Sequence, residues 1–497
     1  MMAAAVGTVM TLGELLGGVP AELSGIEIAD LVMDSRQAGP GAAFVAVQGG
    51  ESHGIEYAPD AAARGAAVVL YEPAPGVEAG VGDVPHLAVA NLRSRVGDLG
   101  RTFFAPSQSS PRLAGVTGTN GKSTVAYLVA QAQTLRGSPC GYLGTVGAGI
   151  PPNLAPQALT TPDCLSLHRA LGSLDAEFVA MEVSSHALAQ DRIAGLTLDT
   201  AVFTNLTRDH LDYHGDMDSY GSAKARLFQW PELRRAVIFV DDVFGAELAR
   251  ELADPIERIE VGLRDRGELR GTIVESTMSG LSVRVEGPRI EATGANEAVL
   301  DSPLVGEFNA ENLLLALGVL LGWDVPLAES CEALSRCRAP AGRMQVLGGG
   351  ARWPWVAVDY AHTPAGLDRV LDVLRRQASG DLWCVFGCGG ERDRGKRPLM
   401  GEAASRFADH IVLTDDNPRG EDPGAIIADI RAGIIDHEDV RIEHDRATAI
   451  VETVAGAGPG DVVLVAGKGH ELRQTAADGD RDFSDVATVR AALGKLT

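Results

Sequence analysis

Short apolar runs separated by segments rich in alanine and glycine make up the first part of the chain. These runs lie at positions 31–33, 43–47, 67–70 and 87–90, and each has the length of one short strand. The stretch 104–111 then combines three serines with two prolines, which is typical of a linker. The pattern predicts a small α/β domain at residues 1–106.

A second pattern begins with an apolar strand at 112–116, a glycine-rich turn and an amphipathic helix. The apolar positions of this helix fall on one face between Val125 and Leu135, and Gly137 ends it. Further buried strands are predicted at 178–183, 200–204 and 236–240. Strands that alternate with helices in this way indicate a central, P-loop ATPase-like domain, which we assign to residues 107–338.

The remainder of the chain repeats this alternation after a more β-like stretch at 258–305. The sequence Arg-Ala-Pro at 338–340 marks a second boundary. Beyond it, apolar strands are predicted at 356–359, 382–386, 411–414 and 462–466. We therefore expect a C-terminal Rossmann-like domain with a parallel sheet at 339–497, and an α/β fold class with three domains overall.

Composition and charge exclude several classes of protein. The 497 residues are 45% apolar and 22% charged, and their formal net charge is −24. This field repels nucleic acid and anionic membranes, so an anionic substrate needs local cations and backbone N–H groups. The aliphatic stretch 313–321 is about half of a membrane span, and the chain does not begin with a secretion signal. The six cysteines form no Cys-x-x-Cys pair. We expect a cytoplasmic monomer that binds no nucleic acid and does not insert into a membrane.

The glycine-rich turn runs from Gly115 to Thr124 and reads Gly-Val-Thr-Gly-Thr-Asn-Gly-Lys-Ser-Thr. Its glycines let successive backbone N–H groups face an anion, and the helix N-terminus adds its dipole. Lys122 would then bridge phosphates, and the Ser123 hydroxyl would reach Mg²⁺. The spacing departs from the strict phosphate-loop motif, which has Gly where Val116 stands. A glycine-rich turn with a surface lysine is the alternative interpretation.

A carboxylate and an imidazole follow the next two strands of the central domain. Glu182 lies at the end of the strand at 178–183, and His210 follows the strand at 200–204. The carboxyl ends of parallel strands meet at one edge of a sheet, so the two side chains would build a Mg²⁺ site beside the glycine-rich turn. Taken singly, a Glu or His at a strand end is more often a cap or a solvated residue, and it is the pair together with the glycine-rich turn that favours a metal site.

Charged clusters follow all four predicted strands of the last domain. The members that we single out are Arg392, Asp416, Asn417, Pro418, Arg419, Gly467 and Glu471. Turn chemistry explains the glycine and the Asn-Pro pair but not the charges. Because four strand ends converge on one crevice in an open parallel sheet, these clusters predict a binding site.

The sequence Thr-Gly-Thr-Asn-Gly-Lys-Ser-Thr at 117–124 resembles the ATP loop of the Mur ligase superfamily, and the resemblance extends from about residue 33 to residue 483. In that family the counterparts of Glu182 and His210 hold Mg²⁺, and the segment 220–228 matches a helix with a carbamylated lysine, here Lys224. Without the resemblance, Lys224 is a helix lysine on a solvated face. The resemblance implies Lys122, Glu182, His210 and Lys224 as catalytic residues, and Ser123, Glu182, His210 and carbamylated Lys224 as metal ligands.

The resemblance also implies which residues bind each substrate. For ATP they are Gly118, Thr119, Asn120, Gly121, Lys122, Ser123, Thr124, Asn309, Arg343 and Asp359, where Asn309 would face the adenine or, alternatively, only begin a helix. For a UDP-muramyl peptide they are Ser35, Thr160, Thr161, Ser184, Gln190 and Arg192, and the segments 34–36 and 49–54 resemble a uridine-nucleotide grip. For diaminopimelate they are Arg392, Asp416, Asn417, Pro418, Arg419, Gly467 and Glu471.

The activity implied by the resemblance is an ATP-dependent ligation in bacterial cell-wall synthesis. Diaminopimelate would be joined through an acyl phosphate to a UDP-linked muramyl dipeptide, with Mg²⁺ as cofactor. Three other interpretations remain: a lysine-adding homologue, an amide ligase like folylpolyglutamate synthetase, and an ATP-binding scaffold without chemistry. Arg419 argues against the first, the uridine-type first domain against the second, and the presence of Lys122, Glu182, His210 and Lys224 against the third.

Overall fold

The computed structural model describes residues 9–50, 52–77, 82–104, 111–263, 266–435 and 439–495. Glu51, residues 105–110 of the predicted linker at 104–111, and the predicted boundary at 106–107 lie outside these residues. The chain forms two compact units, Met1–Ile259 and Glu260–Thr497. None of the helices in the described ranges is long and apolar enough to cross a membrane.

The first unit begins with an antiparallel pair formed by its first two strands and a small parallel sheet formed by the next four, with their helices. The strands are β1 (Met10–Thr11), β2 (Glu27–Ile28), β3 (Asp30–Val32), β4 (Ala42–Ala46), β5 (Val68–Tyr71) and β6 (His86–Ala88). The helices are α1 (Leu12–Leu16), α2 (Ala21–Ser24), α3 (Ala58–Ala63) and α4 (Leu92–Phe104), with short 3₁₀ turns at Ser35–Gln37 and Gly54–Tyr57. Strands β3, β4, β5 and β6 pair in that order and are parallel. They confirm the four strands predicted here, within two residues at each end.

The rest of the first unit is built on a larger sheet. Its strands are β7 (Arg112–Thr117), β8 (Cys140–Gly144), β9 (Gly147–Ile150), β10 (Asn153–Ala155), β11 (Phe178–Glu182), β12 (Thr200–Phe203) and β13 (Arg235–Phe239). Its helices are α5 (Lys122–Leu135), α6 (Cys164–Gly172), α7 (Ser185–Ala189), α8 (Leu211–His214), α9 (Met217–Ala225) and α10 (Val243–Glu251), with a 3₁₀ turn at Arg226–Gln229. The order of the strands is β10-β9-β8-β11-β7-β12-β13.

The strands at the centre of this sheet are parallel and buried on both faces. Strand β7 pairs with β11 on one side and with β12 on the other. Sheets buried in this way favour continuous apolar runs, which is why these strands were recognisable from the sequence. The loop after β7, the end of β11 and the loop after β12 consequently lie at one edge of the sheet.

Strand β14 (Glu257–Gly262) contains the point where the first unit gives way to the second. The second unit then forms the antiparallel strands β15 (Leu269–Thr277), β16 (Gly280–Glu286) and β17 (Glu297–Ser302), which confirm the β-like stretch at 258–305. Helices α11 (Pro288–Glu291), α12 (Phe308–Gly322) and α13 (Leu327–Arg336) accompany them. The aliphatic stretch 313–321 is buried inside α12, so its hydrophobicity is that of a core helix.

The last part of the second unit is a doubly wound sheet. Its strands are β18 (Gln345–Gly348), β19 (Trp355–Asp359), β20 (Leu382–Phe386), β21 (His410–Leu413), β22 (Val440–Ile442) and β23 (Val462–Ala466), followed by the hairpin β24 (Arg473–Ala476) and β25 (Gly479–Asp482). The helices are α14 (Pro364–Gln377), α15 (Lys396–Phe407), α16 (Pro423–Arg431), α17 (Arg446–Gly456) and α18 (Asp485–Lys495). The order is β18-β19-β23-β20-β21-β22, and only β18 is antiparallel to its neighbour.

Apolar clusters cover both faces of this sheet, as a parallel sheet requires. The four strands predicted in this region are β19, β20, β21 and β23, each within one residue of the expected bounds. Strands β18 and β22 and the hairpin β24–β25 were not predicted. The hairpin is the omission that matters for the site described below.

Candidate active site

The loop between β7 and α5 is held in an anion-binding shape by the segment that follows β12. Gly118 has φ of +143°, and a Cβ atom there would lie 1.8 Å from Thr204 Oγ1, so only glycine fits. Thr204 Oγ1 donates to Asn120 O at 2.6 Å, and the N–H of Thr119 donates to Asn205 O at 2.8 Å. Gly121, with φ of +87°, is the N-cap residue immediately before α5. The glycine-rich loop is therefore held in one shape and leads directly into the N-terminus of α5, as the sequence predicted.

The side chain of Lys122 folds back over this loop. Its Nζ donates to the backbone oxygens of Gly118 and Thr119, at 3.0 and 2.8 Å. The neighbouring Ser123 and Thr124 are buried in the first turn of α5. The loop residues predicted to bind ATP in this unit, from Gly118 to Thr124, thus form one continuous structure.

Glu182, at the end of β11, collects hydrogen bonds from three residues. Its Oε2 accepts from Ser123 Oγ at 2.9 Å and from Thr145 Oγ1 at 3.1 Å. Its Oε1 accepts from Tyr142 OH and from the backbone N–H of Thr145, both at 2.7 Å. The side chain is buried, and an ionised carboxylate, which only accepts, suits this set of donors. The predicted contact between the glycine-rich turn and the acid is therefore present.

Five of the residues predicted to bind the muramyl peptide are linked to Glu182 through its backbone oxygen or through Thr145. Thr161 Oγ1 donates to the Glu182 backbone oxygen at 2.9 Å and accepts from the Ser184 N–H at 3.1 Å. Thr160 Oγ1 lies 3.0 Å from Thr145 Oγ1. The guanidinium of Arg192 then joins Thr161 to the side chain of Gln190, through bonds of 2.9 Å to the Thr161 oxygen and 2.6 Å to Gln190 Oε1.

Ser35, the sixth residue predicted to bind the muramyl peptide, belongs to the small N-terminal sheet. It lies in the 3₁₀ turn after β3, and its Oγ donates to Asp60 Oδ2 at 2.8 Å. Its described hydrogen bond therefore goes to Asp60 and not to the residues around Glu182.

Lys224 lies on α9 and is buried against the glycine-rich loop. Its side-chain exposure is 1%, and its Nζ donates to the Gly118 oxygen at 2.7 Å. The nitrogen also lies 4.3 Å from the centre of the Tyr220 ring. Burial, reinforced by the charge of Lys122, lowers the pKa of Lys224 well below its ordinary value, against the opposing effect of Asp209. The prediction from the sequence alone that Lys224 lies on a solvated helix face is therefore wrong.

His210 is the N-cap residue immediately before α8 and has φ of +53°. Its ring packs in a group of aromatic rings. Its ring centre lies 4.9 Å from that of His186 and 6.1 Å from that of Tyr220. Burial, followed by the charges of His210 and His214, lowers the pKa of His186 to about 4. Within the described ranges, no group of three or more His, Cys, Asp or Glu side chains is arranged to hold a metal ion. Ser123 and Glu182 are thus joined directly, whereas the described contacts of His210 are to this aromatic group and to Asp209.

The remaining residues predicted to bind ATP lie in the second unit, at two places. Asn309 is buried near the start of α12, where Nδ2 donates to Val305 O at 2.7 Å and Oδ1 accepts from Asn312 Nδ2 at 2.9 Å. Asp359, at the end of β19, accepts from the Met344 N–H at 2.6 Å. Burial raises the pKa of Asp359, and the charge of Arg343 opposes that shift.

Arg343 lies beside this aspartate and covers an aromatic ring. Its guanidinium carbon lies 4.6 Å from the centre of the Tyr360 ring. Its Nε is buried without a hydrogen-bond partner among the described residues. A buried donor of this kind is expected where a ligand supplies the missing acceptor.

Two of the charged clusters at the carboxyl edge of the doubly wound sheet are joined to each other and to the hairpin β24–β25 by one lysine. Lys468 Nζ donates to Asn417 Oδ1 and Glu471 Oε2, both at 2.9 Å, and to the Arg473 backbone oxygen at 2.7 Å. Asn417 Nδ2 also donates to Glu471 Oε2, at 2.8 Å. The predicted convergence of strand ends on one crevice is therefore seen for the loops after β21 and β23.

Arg419 is held against the loop that follows β20. It has φ of +53°, and its NH1 donates to the Gly390 oxygen at 2.7 Å. Its backbone N–H donates to Thr475 O in the hairpin at 3.0 Å. Pro418, which precedes it, is buried, whereas Arg392 is exposed on the same loop as Gly390.

Gly467 and Asp416 meet at the base of this group. A Cβ atom on Gly467, whose φ is +111°, would lie 2.6 Å from Asp416 Oδ2. Burial raises the pKa of Asp416, and the charges of Arg446 and Lys468 oppose the shift. Any residue with a Cβ atom at position 467 would therefore displace the Asp416 carboxylate.

Sequence reasoning missed three side chains that organise these sites, namely Tyr142, Thr145 and Lys468. Lys468 stands inside the Gly-Lys-Gly-His-Glu sequence that follows β23, so a signal for it existed. Tyr142 and Thr145 belong to β8 and the turn after it, where the sequence shows only an apolar strand. Their role follows from the pairing of β8 with β11, which brings them beside Glu182.

Three family models match the chain. The description "Mur ligase family, catalytic domain" matches residues 27–103, "Mur ligase middle domain" matches residues 116–320, and "Mur ligase, glutamate ligase domain" matches residues 342–469. The three-domain architecture of these proteins is therefore present in this chain.

Several curated proteins similar to this chain have the name UDP-N-acetylmuramoyl-L-alanyl-D-glutamate–2,6-diaminopimelate ligase. The protein of that name from Xylella fastidiosa is 45% identical over 492 residues, which cover 98% of each chain. The one from Pseudomonas aeruginosa is 46% identical over 472 residues, which cover 94% of this chain and 95% of the other. A solved structure with the same name is 35% identical, has a TM-score of 0.70, and is matched over 98% of this chain and 99% of that one.

Proposed function

The chain belongs to the Mur ligase family and is an ATP-dependent amide-bond-forming ligase, and from that premise we propose that it joins 2,6-diaminopimelate to UDP-N-acetylmuramoyl-L-alanyl-D-glutamate in peptidoglycan biosynthesis. The observation that supports diaminopimelate as the added amino acid is the group formed by Arg419, Asn417 and Glu471 at the carboxyl edge of the doubly wound sheet. It offers a cation and an anion that both bond to Asn417, as an acceptor with a distal carboxylate and a distal ammonium requires.

The reaction needs an activated carboxylate, because oxide is a poor leaving group. The γ-carboxylate of the D-glutamate residue attacks the γ-phosphorus of ATP, so that an acyl phosphate forms and ADP leaves. The neutral amine of diaminopimelate then attacks the acyl carbon, the C–O bond to phosphate breaks, and the amine proton is lost as the amide forms. The chain contributes positioning and charge neutralisation, which are the main requirements of phosphoryl transfer.

The glycine-rich loop and Lys122 supply the neutralisation for ATP. The backbone N–H groups at the start of α5 and the Lys122 ammonium would contact the phosphates, while Thr119, Asn120 and Thr124 shape the loop. In the second unit we propose Asn309 for the adenine, with Arg343 and Asp359 as further ATP-binding residues. The buried Nε of Arg343 supports its part in this set.

The donor set around Glu182 fits a Mg²⁺ ion. Ser123 Oγ and Glu182 Oε2 lie 2.9 Å apart, and hydroxyl and carboxylate oxygens are the ligands that this ion prefers. His210 and Lys224 in its carbamylated form would complete the set. When bound, the ion would neutralise charge on the phosphate oxygens.

The two other substrates would use the remaining residues. For the UDP-muramyl peptide we propose Ser35, Thr160, Thr161, Ser184, Gln190 and Arg192. Four of these, Thr161, Ser184, Gln190 and Arg192, are hydrogen-bonded to Glu182 or to one another, and Thr160 is hydrogen-bonded to Thr145. For diaminopimelate we propose Arg419 and Arg392 on the distal carboxylate and Glu471 on the ammonium. Asp416, Asn417, Pro418 and Gly467 would shape that pocket. We expect a monomer that acts in the cytoplasm, where ATP and the UDP-linked substrate are supplied.

A phosphate-release assay tests this function. Release should require ATP with Mg²⁺, the UDP-muramyl dipeptide and diaminopimelate together, and Lys122→Ala should abolish it because the ammonium that would bridge the phosphates is lost. Lysine offered in place of diaminopimelate should be a poor acceptor. ATP hydrolysis without an acceptor, or equal use of lysine, contradicts the proposal, and no release in any combination favours an ATP-binding scaffold.

A further inference from the structure

Lys468 is a fully buried lysine whose donors are all used within the acceptor-binding loops. Its side chain has no exposed surface, and its Nζ lies 2.7 to 2.9 Å from three acceptors. An ammonium group has three N–H donors and no acceptor, so the set is complete. A lysine in this state is not available to bind a substrate phosphate or carboxylate.

The three acceptors belong to three different segments of the chain. Asn417 follows β21, Glu471 follows β23, and Arg473 begins β24. The same Asn417 Oδ1 accepts from the Thr475 N–H at 3.0 Å, which ties the hairpin to the loop after β21. One ammonium group therefore fixes both loops and the hairpin relative to each other.

Glu471 is held through only one of its two carboxylate oxygens among the described residues. Its Oε2 accepts from both Lys468 and Asn417, and no hydrogen bond to its Oε1 is found among the described residues. The side chain is 32% exposed. Burial acts to raise the pKa of Glu471, but the charge of Lys468 and the bond from Asn417 outweigh it, and the pKa lies below its ordinary value. Glu471 thus presents one ionised oxygen in a fixed direction.

We propose that Lys468 is a positioning residue for the acceptor amino acid, which holds Glu471 and Asn417 so that Glu471 Oε1 receives the acceptor's ammonium group. This inference rests on the proposed function of the pocket, and it deepens that function by adding a residue that touches no substrate. Without Lys468, the partly exposed Glu471 would turn toward water, and Asn417 would lose a donor. Recognition of the ammonium would then weaken while the ATP loop in the first unit is unchanged.

Lys468→Met tests the proposal, because methionine keeps much of the apolar stem and removes all three bonds. We expect the KM for diaminopimelate to rise by about 10- to 100-fold, the range for losing a charge-assisted contact, with KM for ATP and for the UDP-substrate within about 2-fold of wild type. Lys468→Gln, whose amide keeps two N–H donors, should be intermediate, and it carries the test if the methionine variant does not fold. Arg375→Met is the matched control, since Arg375 joins the loops before β20 and β21 at the opposite edge of the sheet.

A double variant decides whether Lys468 acts through Glu471. If it does, Lys468→Met should add less than about 3-fold to the KM for diaminopimelate in a Glu471→Gln background, because the group it positions is gone. A full additive effect there, or an equal rise in the KM of all three substrates, overturns the proposal. A wild-type enzyme that releases no phosphate with diaminopimelate is a different result, and it refutes the proposed function itself.

Discussion

The side-chain nitrogens of Lys122 and Lys224 donate hydrogen bonds to the same backbone oxygen, that of Gly118, at 3.0 and 2.7 Å. Two ammonium groups that converge on one oxygen repel each other, and Lys224 is also buried. Both effects lower the pKa of Lys224. A neutral amine reacts with carbon dioxide, whereas an ammonium does not, so the surroundings of Lys224 suit carbamylation. The product would be an anion beside the Lys122 cation.

The first prediction follows for Lys224→Ala, which should be folded and inactive. We expect added acetate to restore part of the rate, because a small carboxylate can replace the lost carbamate. Lys495→Ala, on the exposed end of α18, should keep its activity and show no response to acetate. Enzyme depleted of carbon dioxide should regain activity with bicarbonate less fully at a pH low enough to protonate Lys224, since only the neutral amine combines with bicarbonate to give the carbamate and water. Isotope-labelled bicarbonate should label Lys224, and an unmodified ammonium in well-resolved density near neutral pH, with bicarbonate present, contradicts the prediction.

Thr145 provides the second prediction, through its bonds to Glu182. Thr145→Val keeps the shape of the side chain and the backbone donor, but removes the hydroxyl that donates to Glu182 Oε2 at 3.1 Å. Groups that orient a metal ligand typically contribute about 10-fold or more to metal affinity. We therefore expect the Mg²⁺ concentration for half-maximal phosphate release to rise by about 10-fold, with the KM for diaminopimelate unchanged.

The same substitution elsewhere in the first unit is the control for Thr145. Thr134→Val removes a hydroxyl that donates to Ala130 O and accepts from the Cys140 N–H, away from Glu182. It should cost stability and leave the Mg²⁺ dependence as in wild type. An identical Mg²⁺ dependence in both variants would show that Thr145 does not orient the carboxylate.

The larger features of the fold could be predicted because the buried parallel strands have continuous apolar sequences. Residues that follow those strands, such as Glu182 and Asp416, could be placed at a sheet edge from topology alone. The hairpin β24–β25 could not, since all of its strand residues except Ala476 are polar or exposed and they have no alternating apolar pattern. It nevertheless supplies Thr475, which binds the backbone of Arg419 and the side chain of Asn417.

The burial of individual polar side chains also could not be predicted from the sequence. Lys224 and Lys468 both read as ordinary lysines, yet each is almost fully enclosed. What encloses them is contact between segments far apart in the chain, as between Lys224 and Gly118. Periodicity describes one element at a time and is silent on such contacts.

A third prediction concerns stability in acid and rests on Arg397. This buried guanidinium donates to both carboxylate oxygens of Glu421 at 2.8 Å and to Asp429 at 2.9 Å. Its hydrogen bonds lower the pKa of Glu421 from 4.5 to about 2. Between these two values the unfolded chain binds more protons than the folded one, so the stabilisation is complete above 4.5 and is lost as the pH falls toward about 2.

Glu421→Gln should therefore unfold at a lower urea concentration than wild type at neutral pH. Its midpoint should also fall less steeply between pH 4.5 and about 2, because glutamine has no proton to gain in that window. Glu402→Gln, an exposed change on α15, should leave both the midpoint and the slope as in wild type. Parallel slopes for Glu421→Gln and wild type would assign the acid sensitivity to other carboxylates.

The last prediction concerns Arg419 and tests which amino acid the enzyme adds. Its backbone is held by Thr475, and its NH1 is held by the Gly390 oxygen, so the guanidinium has a constrained direction. The left-handed φ of +53° at a non-glycine residue is itself a strained conformation, of a kind that concentrates at binding sites. A constrained guanidinium gains more from a bidentate partner, because less side-chain freedom is lost on binding.

Arg419→Ala should lower kcat/KM for diaminopimelate by about 30- to 1000-fold, which corresponds to about 2–4 kcal/mol for a desolvated pair with the distal carboxylate. The KM values for ATP and the UDP-substrate should barely change, because their residues lie at other places in the chain. Arg406→Ala, which removes an arginine paired with Asp368 outside the pocket, should leave all three substrates unaffected. Lysine should remain a poor acceptor for the wild type, since it would leave Arg419 facing no anion. Equal losses for all three substrates, or wild-type turnover of lysine and diaminopimelate alike, would make Arg419 structural and reopen the identity of the acceptor.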